Sequence, residues 1–199
     1  ASGSCHEEIY EDGYRCHQRI VGAHAGAVTA ICVALDAVYT VSRDEVLKRW
    51  EPQMSSTNCF ELTADLEVPL GGECWSLLHV GDWIFCGLAD GRIRAFSKSG
   101  GEMTMAKHAQ GVSAMIVHMD VLITGSAEGI VRCWTKDEQT GAFANTHSVK
   151  DLITSQVRCL TVMGDQLWIG GQKGVTVVDL ASLSGWPPRV SVAHDSGLL

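Results

Sequence analysis

The chain has 199 residues, of which 46% are hydrophobic, and a formal net charge of −8. That length suits one domain of ordinary size with a buried core, and the acidic balance argues against a broad nucleic-acid-binding face, which needs clustered Lys and Arg. No run of 18 apolar residues is present and no basic segment with an apolar stretch behind it opens the chain, so neither a membrane span nor a signal peptide is expected.

Residues 1–18 are polar and acidic, show no strand pattern, and read as an extension or linker. Beyond them, runs rich in Val, Ile, Leu and aromatics recur and read as strands. They are expected at Val28 to Ala34, Ala37 to Val41 and Val46 to Trp50, then at Cys74 to Val80, Trp83 to Gly87 and Arg92 to Phe96. A third set covers Val112 to His118, Val121 to Gly125 and Ile130 to Trp134, and a fourth Val157 to Met163, Gln166 to Gly170 and Val175 to Val178. An outer strand for each set is expected near Glu61 to Val68, Met103 to Lys107, Ser148 to Leu152 and Arg189 to Ala193, with a further one near Arg19 to Val21. Asp36-Ala37, Gly81-Asp82, Met119-Asp120 and Gly164-Asp165 supply turns. The four prolines (Pro52, Pro69, Pro187, Pro188) are expected between repeats, where a missing N–H does no harm.

The sets are copies of one unit. Thr40 to Trp50, Cys86 to Phe96, Thr124 to Trp134 and Ile169 to Val178 align on a turn whose central residues are Asp44, Asp90, Glu128 and Lys173, spaced 46, 38 and 45 residues apart. An aromatic follows the turn acid by six in the first three copies. A period near 40 with a hairpin in each repeat is the signature of a propeller blade. The repeats lie near 19–60, 61–100, 101–145 and 146–188, and a fifth opens at 189.

His24, Ser42, Asp44 and Trp50 stand at offsets of 18, 20 and 26 from the His, and His108, Ser126, Glu128 and Trp134 repeat those offsets. His194 follows His108 by 86 residues, two repeats on. On these residues the chain resembles the WD40 family over roughly residues 19–199. It departs from the family pattern in having Leu70 and Ile153 in two His slots and one WD-like pair, Val178-Asp179. The resemblance implies an all-β, WD40-type β-propeller with about four blades and the start of a fifth, part of a seven-bladed ring. It also implies that the His–Ser–Asp–Trp set is a structural hydrogen-bond network and not a hydrolase triad. Triads are recognised by geometry and roles, and Ser42 and Asp44 sit around one turn.

Other motifs are weaker. Cys5-His6 and Cys16-His17 suggest zinc, but adjacent Cys-His pairs do not readily share one tetrahedral ion, so no metal site is expected within the chain. The stretch from His6 to His24, with Asp12-Gly13-Tyr14, and the runs Gly71-Gly72-Glu73 and Trp83-Ile84-Phe85 are similar to proteins that join a CCCH zinc finger to a WD40 propeller. That second resemblance implies His6 as the last ligand of a finger lying upstream. Of the eight cysteines, Cys32, Cys86, Cys133 and Cys159 fall in expected strands and read as small buried apolar residues, in keeping with an intracellular, reducing compartment. Gly170-Gly171 through Gly174 lacks the order of a phosphate loop. Trp186-Pro187-Pro188 reads as a staple between blades.

The WD40 resemblance implies that partners bind the top face, through three positions per blade. Here these are Ala27, Thr29 and Arg43; Glu73, Trp75 and Ala89; Gly111, Ser113 and Ala127; and Gln156, Arg158 and Gln172. Arg43, Glu73, Trp75, Gln156, Arg158 and Gln172 are the partner-binding choices, Trp75 first as an aromatic anchor and the two Arg as bidentate partners of carboxylate or phosphate. Equally, Trp75 can simply pack on a neighbouring blade. The expected function is a non-catalytic protein-interaction scaffold in a multi-subunit assembly, with no cofactor and no small-molecule substrate. The alternative is an RNA-associated protein with an upstream CCCH zinc finger.

Overall fold

The computed structural model describes residues 8–9, 15–16, 18–34, 37–54, 60–105, 107–137, 141–150, 155–172, 174–183 and 186. Among these the protein is all-β, built from antiparallel sheets, and its one helical element is a 3-10 turn at Leu180–Ser182. No helix among the described residues is long and apolar enough to cross a membrane. The chain divides into two compact units, residues 1–73 and 74–199.

The first unit holds a short hairpin, β1 (Glu8–Ile9) with β2 (Arg15–Cys16), and one four-stranded sheet. The sheet runs in chain order through β3 (Val28–Ala34), β4 (Ala37–Ser42), β5 (Val46–Met54) and β6 (Phe60–Pro69). β5 and β6 extend well past the expected Trp50 and are tied by Lys48–Glu67 (2.7 Å) and by Arg49 to Asp65. Such cross-strand opposite charges favour this pairing.

Pro52 lies inside β5 and not between repeats, and it stands opposite Leu62. Leu62 turns its backbone outward: its N–H donates to Gln18 Oε1 (2.7 Å) and its carbonyl accepts from Gln18 Nε2 (3.2 Å). Pro52 therefore occupies a non-hydrogen-bonded site of the ladder, where it has no N–H to lose. The same amide explains why Arg19 to Val21 is not a strand. The Gln18 side chain, and not a following backbone segment, pairs with the β6 edge, and the chain then turns at Gly22 (φ 69°).

The second unit contains three sheets. The first comprises β7 (Cys74–Val80), β8 (Trp83–Leu88), β9 (Ile93–Ser97) and β10 (Glu102–Met105). The second comprises β11 (Val112–His118), β12 (Val121–Ser126), β13 (Val131–Lys136) and β14 (Phe143–Val149). The third comprises β15 (Cys159–Met163), β16 (Gln166–Gly170) and β17 (Val175–Asp179). β14 begins five residues before the expected Ser148, because Ala144, Asn145 and Thr146 are exposed and carry little apolar signal, although Phe143 packs on the core. At the β11–β12 turn Met119 and Asp120 both have positive φ (48° and 59°), the twist that a tight two-residue hairpin demands.

Alternating side chains from facing sheets make the core. Phe85, Ile93, Ala95 and Met105 meet Met115, Leu122 and Trp134 between the first two sheets of this unit. Ile123, Val131, Cys133 and Val149 meet Leu167, Ile169 and Val178 between the second and third, with Val157 and Leu180 completing the cluster. Cys86 and Cys133 are buried as expected, Cys32 is half-buried, and Cys159 is exposed because it lies on the outer face of the third sheet. The expected strand at Arg189 to Ala193, the fifth repeat with His194, and Cys5, His6, His17, Asp12 to Tyr14, Ile153, Lys173, Pro187 and Pro188 lie outside the described residues.

Candidate functional site

Two polar clusters have the same build. His24 Nδ1 donates to Asp44 Oδ2 (2.9 Å), and His24 Nε2 meets Thr40 Oγ1 (2.7 Å). The Trp50 indole N–H donates to that same Thr40 oxygen (2.8 Å). In the second unit His108 Nδ1 meets Glu128 Oε1 (3.0 Å), His108 Nε2 meets Thr124 Oγ1 (2.8 Å), and Trp134 Nε1 donates to Thr124 Oγ1 (2.8 Å). Because Nδ1 of each imidazole faces a carboxylate, which can only accept, Nδ1 carries the proton and Nε2 accepts the threonine O–H.

Ser42 and Ser126 are buried beside this chain of bonds and support the carboxylate at its end. Ser42 Oγ accepts from Asp44 N–H (2.9 Å), and Ser126 Oγ donates to the Ile130 carbonyl (3.2 Å). The central hydroxyls, Thr40 and Thr124, are residues that the offset comparison did not single out. Their signal was present: each lies 16 residues after its His and ten before its Trp.

The arrangement copies the order hydroxyl–imidazole–carboxylate, yet it is built for packing. Both threonines are buried and their oxygens are already engaged twice, so no substrate carbonyl can approach. Burial works to raise the Asp44 carboxyl, but Ser42, the Ala25 N–H, His24 and the Val46 N–H together outweigh it and hold the group at about 2. Burial lowers the pKa of His108 against the opposing pull of Glu128. Glu128 in turn is held below the usual range: burial raises it, but His108 and the Ala109 N–H outweigh that. The sheet β7–β10 has the buried Cys86 and the half-buried Phe96, under the Arg94 guanidinium (4.9 Å), at the matching positions, and β15–β17 has Ile169 and Val178, which pack in the apolar core.

A second repeated feature sits at the start of each inner strand. The β3–β4, β7–β8 and β11–β12 ladders each carry a bulge, between Val28 and Ala30, Cys74 and Ser76, and Val112 and Ala114. The extra residues are Thr29, Trp75 and Ser113. Arg158 repeats the pattern, donating its N–H to the Gly170 carbonyl (2.7 Å) while Cys159 is the partner of Gly170. A bulge bends the strand and re-aims one side chain. It depends on cross-strand register, so it leaves no mark in a single sequence.

In the second unit these positions form a row. Ser76 Oγ donates to the Val112 carbonyl (2.8 Å), and Ser113 Oγ reaches the Val157 carbonyl, which sets the starts of the three inner strands side by side. The half-buried Trp75 lays its six-membered ring against Gly111, where any Cβ would overlap it. Arg158 is exposed and has no ion pair among the described residues. Gln172 is exposed, Gln156 half-buried, and the Gln172 N–H donates to Ser155 Oγ (3.1 Å). In the first unit the exposed Arg43 pairs with Glu73 (Nε to Oε1, 3.1 Å). No group of three or more metal-ligating side chains occurs among the described residues.

These features define an all-β protein whose repeated sheets are pinned by polar clusters or apolar packing. No family model matches the chain. It is 27% identical over 151 residues, 74% of its length, to zinc finger CCCH domain-containing protein 59 of Arabidopsis thaliana, and it spans about 30% of that relative. Among solved structures it is similar to the computationally designed Ika4 protein (TM-score 0.61, 21% identity, 79% of this chain and 94% of that one). It is also similar to the computationally designed Ika8 protein (TM-score 0.60, 19% identity, 80% of this chain and 48% of that one). At these identities the likeness is one of fold alone.

Proposed function

We propose that the sheets are WD40-type propeller blades, contributing to a larger ring, and that the protein is a non-catalytic interaction scaffold within a multi-subunit assembly. The observation that carries this reading is the row of bulge residues. In the second unit each inner strand re-aims one side chain at its start, and those side chains differ from sheet to sheet, Trp75, Ser113 and Arg158, while the first unit carries Thr29 at the matching place in its own sheet. A rigid frame with variable residues at one rim suits partner selection. Ser113 is engaged by backbone carbonyls, which leaves Trp75 and Arg158 as the anchors in the second unit.

The test is capture of partners from native cells by the full-length protein and by a Trp75→Ala/Arg158→Ala variant, read by mass spectrometry. The reading expects loss of a defined protein set while the circular dichroism spectrum stays unchanged. Equal capture by the folded variant would remove the assignment. A second reading, association with RNA, draws on the similarity to a CCCH zinc finger protein. It expects the captured set to collapse on RNase treatment, whereas the scaffold reading expects it to persist.

A further inference from the structure

We infer that the segment 107–111, the entry into β11, is the positioning device for the Trp75 indole, with Gly111 as its floor and Glu128 as the latch that holds the floor in place. The inference deepens the scaffold reading and rests on it for the consequence to partners. The positioning itself lies within the second unit and is read without a partner.

The segment is gripped from two sheets. On the β7–β10 side the His108 N–H donates to the Gly91 carbonyl (3.0 Å). The backbones come so close there that a Cβ on Gly91 would overlap the His108 carbonyl. On the β11–β14 side the Glu128 carboxylate accepts from the His108 ring (3.0 Å) and from the Ala109 N–H (3.4 Å). The Ala127 N–H donates to the Gly111 carbonyl (2.8 Å). Arg132 donates to the Lys107 carbonyl (2.8 Å) and lies 3.8 Å from Glu128. The polar cluster of this sheet therefore fixes a stretch of backbone as well as its own threonine and tryptophan.

Trp75 lies at the far end of that stretch. Its Cζ3 and Cε3 stand where a Gly111 Cβ would be, and the Ala89 carbonyl is 2.9 Å from the same point. Gly111 is not among the glycines with positive φ, so the backbone angle does not call for glycine there and the close approach does. With backbone on one side and the indole on the other, any side chain at 111 must lift or turn the ring. Ser113, next along the row, needs no such floor, because its hydroxyl reaches the Gly125 and Val157 carbonyls. An anchor whose rotamer is locked by its surroundings loses less freedom on binding, so Gly111 and Glu128 act on partner capture through Trp75.

The test is two-dimensional NMR of the indole N–H signals of the whole chain, with the Trp75 signal assigned by its loss in Trp75→Phe and circular dichroism as the folding control. Gly111→Ala is expected to shift the Trp75 signal. Trp83, which packs by Gly101, and Trp168 of β16 are expected to stay in place. Glu128→Ala is expected to shift Trp75 together with Trp134. Glu128→Gln keeps an oxygen that accepts from His108 and Ala109, and it is expected to return Trp75 to its wild-type position. A Trp75 signal unmoved in a folded Gly111→Ala or Glu128→Ala protein overturns the proposal. So does movement of Trp83 and Trp168 as well, which would mean general loosening of the unit. The Gly111 and Glu128 variants are independent routes, and either decides if the other fails to fold. Partner capture separates the two readings: Gly111→Ala is expected to lose the same protein set as Trp75→Ala. Full capture by Trp75→Ala with the signals moving as expected would remove the scaffold assignment and leave the positioning in place.

Discussion

Trp134 Nε1 and Thr124 Oγ1 stand 2.8 Å apart, and Trp50 and Thr40 repeat that distance in the other unit. Each threonine hydroxyl is the one atom that satisfies both an indole and an imidazole. Removing it orphans two buried groups at once, and an orphaned buried donor or acceptor costs about 1–3 kcal/mol. Thr124→Val keeps the shape and removes the hydroxyl. It is expected to lower stability by about 2–4 kcal/mol in urea unfolding, whereas Ser126→Ala, which loses the bond to Ile130 O and its support of the Glu128 carboxylate but orphans no ring nitrogen, should cost about 1–2 kcal/mol. The reverse ranking would place the serines at the centre of the clusters.

The acid response follows from the same groups. Asp44 titrates at about 2 in the folded protein and near 3.8 when unfolded. Its folded pKa is depressed, so its contribution is complete above pH 3.8 and is lost as pH falls towards 2. At full strength it is worth about 2 kcal/mol. His108 is also depressed, by burial. Below the unfolded value of 6.5 the unfolded chain takes up this proton first, so stability declines as pH falls from neutrality. Urea midpoints measured from pH 7.5 to 3 should show a loss beginning near pH 6.5 and a steeper one below 4. His108→Gln should remove the first phase only, and Asp44→Asn should shrink the second without abolishing it, because Glu128, Asp65 and Asp90 are also held low.

Gly91 has φ 89°, and a Cβ there would overlap the His108 carbonyl. The approach is held by the bond from His108 N–H to the Gly91 carbonyl (3.0 Å). Both the backbone angle and the overlap oppose a side chain, and strain of this kind costs about 1–3 kcal/mol. Gly91→Ala should therefore destabilise the second unit by at least that much. Gly100→Ala, with positive φ but open space around it, should cost about 1 kcal/mol.

Much of this fold was legible because inner strands are apolar and bounded by turn residues: Val28–Ala34, Cys74–Val80 and Val112–His118 stand at the expected limits. The outer strands were less so. β14 exposes Ala144, Asn145 and Thr146 in succession, and β5 continues through a proline whose tolerance depends on Leu62 facing away. At the polar clusters the ends were readable and the centre was not. The repeated offsets find His, acid and Trp, but they do not say whether Thr40 or Ser42 reaches Nε2, because the two differ by one pleat on the same face. The bulges that carry Trp75 and Arg158 come from register, a relation between strands that composition does not encode.

Gln18 gives the last prediction. Its amide both donates to and accepts from Leu62, doing for the β6 edge what one residue of an added strand would do. An unpaired edge is a template for another strand. Gln18→Leu keeps the bulk and removes both bonds, so the Leu62 N–H should lose its partner. Hydrogen exchange at Leu62 is expected to quicken at least tenfold, since two bonds of about 1 kcal/mol each are lost. Amides of β4, which is paired on both sides, should be unaffected. Uniform quickening across the sheet would mean that Gln18 supports the whole sheet rather than its edge.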